Sequence, residues 1–225
     1  MKINLLAILI LAFATAMIAQ QRESAVVIKV RGEAFVQSAD SDTKRPLKNK
    51  MLLTAGDRIS TGEQSFVAVK FLDDASLIRV RSNSSLVIRG EWSEDGKSQK
   101  KDIFVTLGSI WSKITRSGSI FSIGTPTAVA SVKGTEFWTI QLPDGSALFV
   151  CLEGMVEIKN EQGVVLVRKG QTANVAGQNS APQVRRTQPG DVPAESEEDG
   201  ERFEIEIEFE NDQQEQRTLI IDVER

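Results

Sequence analysis

Short apolar runs broken by Gly, Asp, Asn and Ser recur along the chain, with no long stretch of helical period. Ala25 to Val30, Phe66 to Phe71, Leu77 to Val80, Leu86 to Ile88 and Phe104 to Leu107 have the length and turn-residue borders of strands. So do Phe137 to Leu142, Leu148 to Leu152, Val156 to Ile158 and Val164 to Val167. All are rich in Val, Ile and Phe, whose branched or aromatic side chains suit a pleated, half-buried surface. The pattern predicts an all-β protein.

A degenerate repeat adds an architecture. Phe71-Leu-Asp-Asp-Ala-Ser-Leu-Ile-Arg-Val80 aligns without a gap on Gln141-Leu-Pro-Asp-Gly-Ser-Ala-Leu-Phe-Val150, and Leu86-Val-Ile88 then falls on Val156-Glu-Ile158. Each copy reads as strand, tight turn, strand. Asp144-Gly145 suits a two-residue hairpin turn, which needs positive φ at its centre; Asp73-Asp74-Ala75 is a poorer version. Asn160-Glu-Gln-Gly163 supplies a further turn. Stacked antiparallel hairpins of this kind predict a β-sandwich or a short, solenoid-like β-roll.

Ala176 to Gly200, with three prolines, three glycines and a run of acids, is expected to be a flexible acidic linker. Beyond it, Phe203-Glu-Ile-Glu-Ile-Glu-Phe-Glu210 alternates without a break. As a strand it sets Phe203, Ile205, Ile207 and Phe209 on one face and four glutamates on the other. Thr218 to Val223 returns, which makes residues 201–225 a C-terminal β-hairpin. A lone hairpin is marginal in water, so its apolar face needs the main domain or a partner. These four apolar residues are therefore candidate partner contacts.

At the other end, Lys2 precedes an uncharged apolar run from Leu5 to Phe13, followed by small residues. That order is the signature of a secretory signal peptide over residues 1–19, cleaved after Ala16 or Ala19. The expectation is an exported protein, in the periplasm or outside the cell, with no membrane insertion after cleavage. The main domain then runs from residue 20 to 175.

Charge is unevenly shared. From Asp191 to the end there are fourteen acidic and three basic residues, a net −11; the remainder holds 24 basic and 17 acidic, a net +7. The tail can lie against its own basic body or be simply solvated. Basic clusters such as Lys44-Arg45 and Lys100-Lys101 lack interleaved aromatics, so nucleic acid is not expected as a partner.

Candidate chemistry is sparse. The chain has no histidine, which removes the commonest general base and zinc ligand. Cys151, the single cysteine, sits in the apolar stretch Ala147 to Leu152 and reads as a buried small hydrophobe. Ser112 and Lys113 are adjacent on a strand and so point to opposite faces. The Glu204, Glu206, Glu208, Glu210 ladder reads as a solvated or Arg-paired face rather than a Ca²⁺ site. No phosphate-cradling or dinucleotide fingerprint occurs. The expectation is no enzyme, no cofactor, no metal and no catalytic residues. Trp111 and Trp138 fall inside strands; Trp92, in a loop between Arg89 and Lys101, is the tryptophan expected at the surface and a candidate ligand contact.

From Leu53 to Val175 the landmarks occur in a recognisable order: Ala55-Gly-Asp-Arg-Ile-Ser-Thr-Gly62, the Asp-Asp-Ala-Ser turn before Val80, Leu107-Gly-Ser-Ile110, Thr125-Pro126, Lys133-Gly-Thr-Glu-Phe137 and Gly170-Gln171. This stretch resembles the FecR-like domain, the periplasmic part of regulators in bacterial iron-uptake signalling. Its glycines and threonines read as turn and capping residues. The regulators carry a cytoplasmic sigma-factor-binding segment and a membrane helix ahead of this domain, whereas here a signal peptide leads into strands. The resemblance therefore implies the outer half alone, an interaction or sensing domain that binds a protein partner of the envelope. The alternative is a module for cell-wall or surface polysaccharide.

Overall fold

The computed structural model describes residues 23–92, 99–115, 121–193, 203–210 and 216–223. The expected signal peptide lies outside them. Strands run β1 (Glu23–Arg31), β2 (Ala34–Gln37), β3 (Lys44–Pro46), β4 (Leu52–Thr54) and β5 (Arg58–Thr61). The first repeat follows as β6 (Phe66–Phe71), β7 (Leu77–Val80) and β8 (Ser85–Trp92), and then the long β9 (Gln99–Lys113). After β10 (Phe121–Gly124) and β11 (Val129–Val132) come β12 (Glu136–Gln141), β13 (Ala147–Glu153), β14 (Met155–Asn160) and β15 (Gly163–Arg168). β16 (Gln171–Val175) and β17 (Gln183–Arg186) close the main body, and β18 (Phe203–Glu210) pairs with β19 (Gln216–Val223) as a separate hairpin.

The all-β reading holds, and the strands sort into two sheets that share β9. The first has the order β4-β1-β6-β7-β9-β12-β13-β16-β17. The second has β3-β2-β5-β8-β9-β10-β11-β14-β15. Among the described pairings only β9 with β10 is parallel. The sequence marked a strand at Phe104 to Leu107; β9 is far longer because it crosses from one sheet to the other. Its first part pairs with β8 and its last with β7 and β12. Gly108 makes the corner at φ 88°, and a Cβ there would fall 2.2 Å from Ser84 Oγ. Glycine is what that crossing requires.

The sequence repeat is a structural repeat. β6–β7 and β12–β13 are antiparallel hairpins in the first sheet, on opposite sides of β9. β5 pairs with β8 and β11 with β14 in the second. The chain thus coils between sheets, and the inner faces of both enclose one core containing Val27, Phe71, Phe137, Phe149, Ile59, Ile88, Ile123 and Ile158. Cys151 belongs to it, its thiol pushed up to about 11 by burial, as expected of an inert side chain.

The linker expected from Ala176 to Gly200 is corrected over its first part. β17 lies within it, paired with β16, and a 3₁₀ turn follows at Pro189–Asp191. The prolines do not prevent this: Pro182 precedes an edge strand and Pro189 opens the turn, positions where no backbone N–H is missed. Residues 194–200 lie outside the described residues. Among those described, no helix is long and apolar enough to cross a membrane.

Candidate docking surface

The landmark residues are structural supports. Asp57 Oδ2 accepts the Thr54 amide at 2.9 Å beside Gly56, which sits at φ 94°. Thr61 Oγ1 donates to Arg81 O at 2.6 Å and accepts from the Ser84 amide at 3.0 Å. Lys101, buried beside the Phe71 and Phe121 rings, pairs with Asp73 at 2.9 Å and with Asp74. Burial raises the Asp74 carboxyl, but Lys101 and the Ser76 amide outweigh it and hold the group below its ordinary value. Arg185 grips Asp191 through both nitrogens, at 2.5 and 2.6 Å, while Thr172 Oγ1 and the Gln188 amide donate to the same carboxylate. Arg185 foremost holds Asp191 down to about 2, against the opposing effect of burial. Both clusters tie elements together. Among the described residues no group of three or more His, Cys, Asp or Glu could hold a metal.

A different kind of surface occupies the outer face of β11, β14 and β15. Register places Val129 beside Lys159 and Val164, and Ser131 beside Glu157 and Leu166. Val129, Met155, Val164 and Leu166 are 43–53% exposed. Met155 and Leu166 line an open groove of about 570 Å³ together with Lys133, Gly134, Gly154 and Glu157. Two turns bring its walls together. A Cβ at Gly154 would lie 2.9 Å from Gly134 O, and Thr135 Oγ1 donates to Met155 O at 3.0 Å. The Lys133-Gly134-Thr135 motif, read from sequence as a turn, thus also shapes the groove. Exposed Lys133, Lys159 and Arg168 outnumber the exposed Glu157 within this patch. β15 ends the second sheet in a ladder with β14, and on its outer edge the Arg168 amide donates to Gln171 Oε1 at 2.9 Å.

None of the candidate contacts named from sequence lies here. Trp92 is the last residue of β8, its backbone paired with Gln99, so the expected loop between Arg89 and Lys101 is strand at both ends; residues 93–98 lie outside the described residues. Its side chain is outside the description. Phe203, Ile205, Ile207 and Phe209 lie on β18, opposite Val223, Ile221, Leu219 and Arg217 of β19, and their side chains are likewise outside it. Trp111 and Trp138 are buried, and Ser112 and Lys113 face opposite ways, one buried and one exposed. Sequence reasoning found β14 and β15 without the groove's role, and did not mark β11 as a strand. In Gly163-Val-Val-Leu-Val-Arg168 the apolar residues are consecutive, so periodicity could not tell the buried Val167 from the exposed Leu166.

Comparison with known proteins agrees with this architecture. Residues 57–157 match the family model described as FecR protein, which bears out the resemblance drawn from the landmarks. No curated protein matches the chain. Two crystal structures of a putative anti-sigma factor from Parabacteroides distasonis ATCC 8503, at 1.65 and 2.50 Å, share the fold at a TM-score of 0.50 and 18% identity. The match covers 57% of this chain and 59% of that one, so the chain spans less than two thirds of the protein it resembles.

Proposed function

We propose that the chain is an exported, non-catalytic sensing domain that binds a protein partner of the cell envelope through the outer face and free edge of its second sheet. The exposure of Met155 on β14 and of Val164 and Leu166 on the last strand β15, with Val129 across Lys159 on β11, carries this reading. An apolar patch next to an open edge suits an extended segment that adds itself as a further strand. Main-chain hydrogen bonds then give affinity, and alternate side chains enter the groove to give specificity. Lys133, Lys159 and Arg168 favour a segment carrying carboxylates among its apolar residues. The FecR match and the fold shared with an anti-sigma factor support regulation by protein contact. Export rests on residues 1–19.

The test uses the full chain as bait in envelope extracts, next to a Val164→Lys/Leu166→Lys variant of equal thermal stability. Capture of one protein should fall at least about tenfold in the variant, which corresponds to about 1.4 kcal/mol. Equal capture would rule out this surface. N-terminal sequencing of the exported material should begin at Met17 or Gln20; an intact Met1 in the periplasmic fraction would contradict cleavage.

A further inference from the structure

We infer that the C-terminal hairpin β18–β19 lies across the outer face of the first sheet and covers an apolar surface built around Trp111 and Trp138. Along these strands residues alternate between the central core and the opposite side. Val27, Phe137 and Phe149 face the core, whereas Val26, Trp138 and Val150 belong to a second apolar cluster with Ile28, Leu77, Trp111 and Ile140. Every buried member of that second cluster is at most 7% exposed. One cross-strand row, Ala68-Arg79-Trp111-Trp138-Val150-Thr172, spans five strand junctions of this face. The outer face of an antiparallel two-sheet fold ordinarily meets water and carries polar residues. A face this apolar and this buried has a cover.

Within residues 23–193, Arg79 and Val192 reach the margin of this face. Arg79 lies over the Trp111 ring at 4.6 Å, and Val192 packs against the cluster from outside the sheet. Val192 also gives the direction of the chain. Asp191, clasped by Arg185 and Thr172, fixes the backbone at the end of this face, and Val192 turns onto it. β18 begins at Phe203. Eleven residues reach at most about 36–40 Å, while the six strands from β1 to β13 that build the cluster are only about 24 Å wide. The hairpin is tethered within reach of all of it.

Its composition matches the need. The register of β18 with β19 brings the Phe203, Ile205 and Ile207 positions opposite Val223, Ile221 and Leu219, so the apolar positions of both strands coincide. A two-stranded hairpin is marginal unless such a face is buried. Stacked on the first sheet, the hairpin satisfies both surfaces and turns its glutamate ladder to water. This inference concerns the first sheet and is independent of the partner surface on the second.

The test uses the full-length chain in a Trp92→Phe background, so that Trp111 and Trp138 report. Acrylamide quenching should rise several-fold and emission shift to the red in Ile205→Asp/Ile207→Asp, with unchanged far-ultraviolet dichroism, while Glu206→Gln stays as the parent. Quenching unaffected by the double substitution would overturn the inference. Zero-length carbodiimide crosslinking of the unsubstituted protein gives a second reading that needs no variant. Links within one chain from hairpin carboxylates to Lys70 or Lys113 support it. Links confined to Lys133 and Lys159, or found only between two chains, would place the hairpin on the second sheet or on another copy and defeat it.

Discussion

The two sheets share one fold and one long strand, yet they treat their outer faces in opposite ways. In the first, β6, β7 and β12 are buried at almost every position, on both sides of the sheet. In the second, β14 alternates strictly between exposed and buried along Met155-Val-Glu-Ile-Lys, and β5 alternates between partly exposed and buried. The difference is written in composition. Phe66-Val-Ala-Val-Lys-Phe71 carries one charge in six residues; Met155-Val-Glu-Ile-Lys-Asn160 places a polar residue at every second position after Met155 until its end. A sheet with continuous apolar strands is one buried on both faces, and one with alternating strands is buried on one. That asymmetry supports the two proposals, internal packing for the first sheet and partner contact for the second.

The sharpest way to break this comparison is to put the same charge on both outer faces. Val150→Asp buries an unpaired carboxylate in the cluster around Trp138 and should cost at least about 3 kcal/mol, or prevent folding. Leu166→Asp, on an exposed position of β15, should stay within about 0.5 kcal/mol of the parent. Urea denaturation of the two variants decides it. Similar losses in both would mean that the outer face of the second sheet is also covered.

Much of this was legible in the residues, and the rest was hidden for identifiable reasons. Strands with apolar runs of three or more, such as Phe66–Phe71 and Ala147–Glu153, announce themselves; β3, made of Lys44, Arg45 and Pro46 and wholly exposed, has no pattern to read and exists through its pairing with β2. β17 was hidden by its neighbours, since Pro182 and Pro189 look like linker until its pairing with β16 is seen and the Arg185–Asp191 pair closes across Pro189. The repeat and the hairpin turns were legible because turn chemistry is local. The groove was not. It is assembled from Gly134 and Gly154, twenty residues apart and each readable only as a turn, and nothing local reveals that the Gly134 carbonyl occupies the space a Cβ at residue 154 would need.

A smaller effect tests the clasp that steers the chain onto the first sheet. Because Asp191 is held at about 2, below its ordinary 3.8, it contributes stability that is complete above pH 3.8 and lost as the pH falls through about 2. Asp191→Asn should therefore be less stable than the parent at neutral pH, by about 1–2 kcal/mol once the exposure of Arg185 is allowed for. The gap should close between pH 4 and pH 2. A gap that persists at the acid end would show that the loss comes from packing and not from the charge. The same substitution should raise quenching of Trp138 while leaving exchange of the β14 amides as it was, which separates the two sheets again.

The smallest effect lies inside the first sheet, where the two repeat hairpins solve one turn with different residues. In both, an aspartate accepts the amide of the serine two positions on, Asp74 from Ser76 and Asp144 from Ser146, each at 2.9 Å. Between them stands Ala75 in one copy, at φ 59°, and Gly145 in the other, at φ 88°. An L-residue in the left-handed region carries a penalty of about 1–2 kcal/mol, partly offset because alanine has less freedom than glycine to lose on folding. Ala75→Gly should thus stabilise by about 0.5 kcal/mol. Gly145→Ala should destabilise by about 1 kcal/mol, and purely through backbone conformation, since an added Cβ there meets nothing within 4 Å. Midpoints of denaturation at constant slope read both. If Ala75→Gly instead weakened the fold, the first hairpin would owe its left-handed turn to the burial of Asp74 against Lys101, a restraint that the exposed second copy lacks.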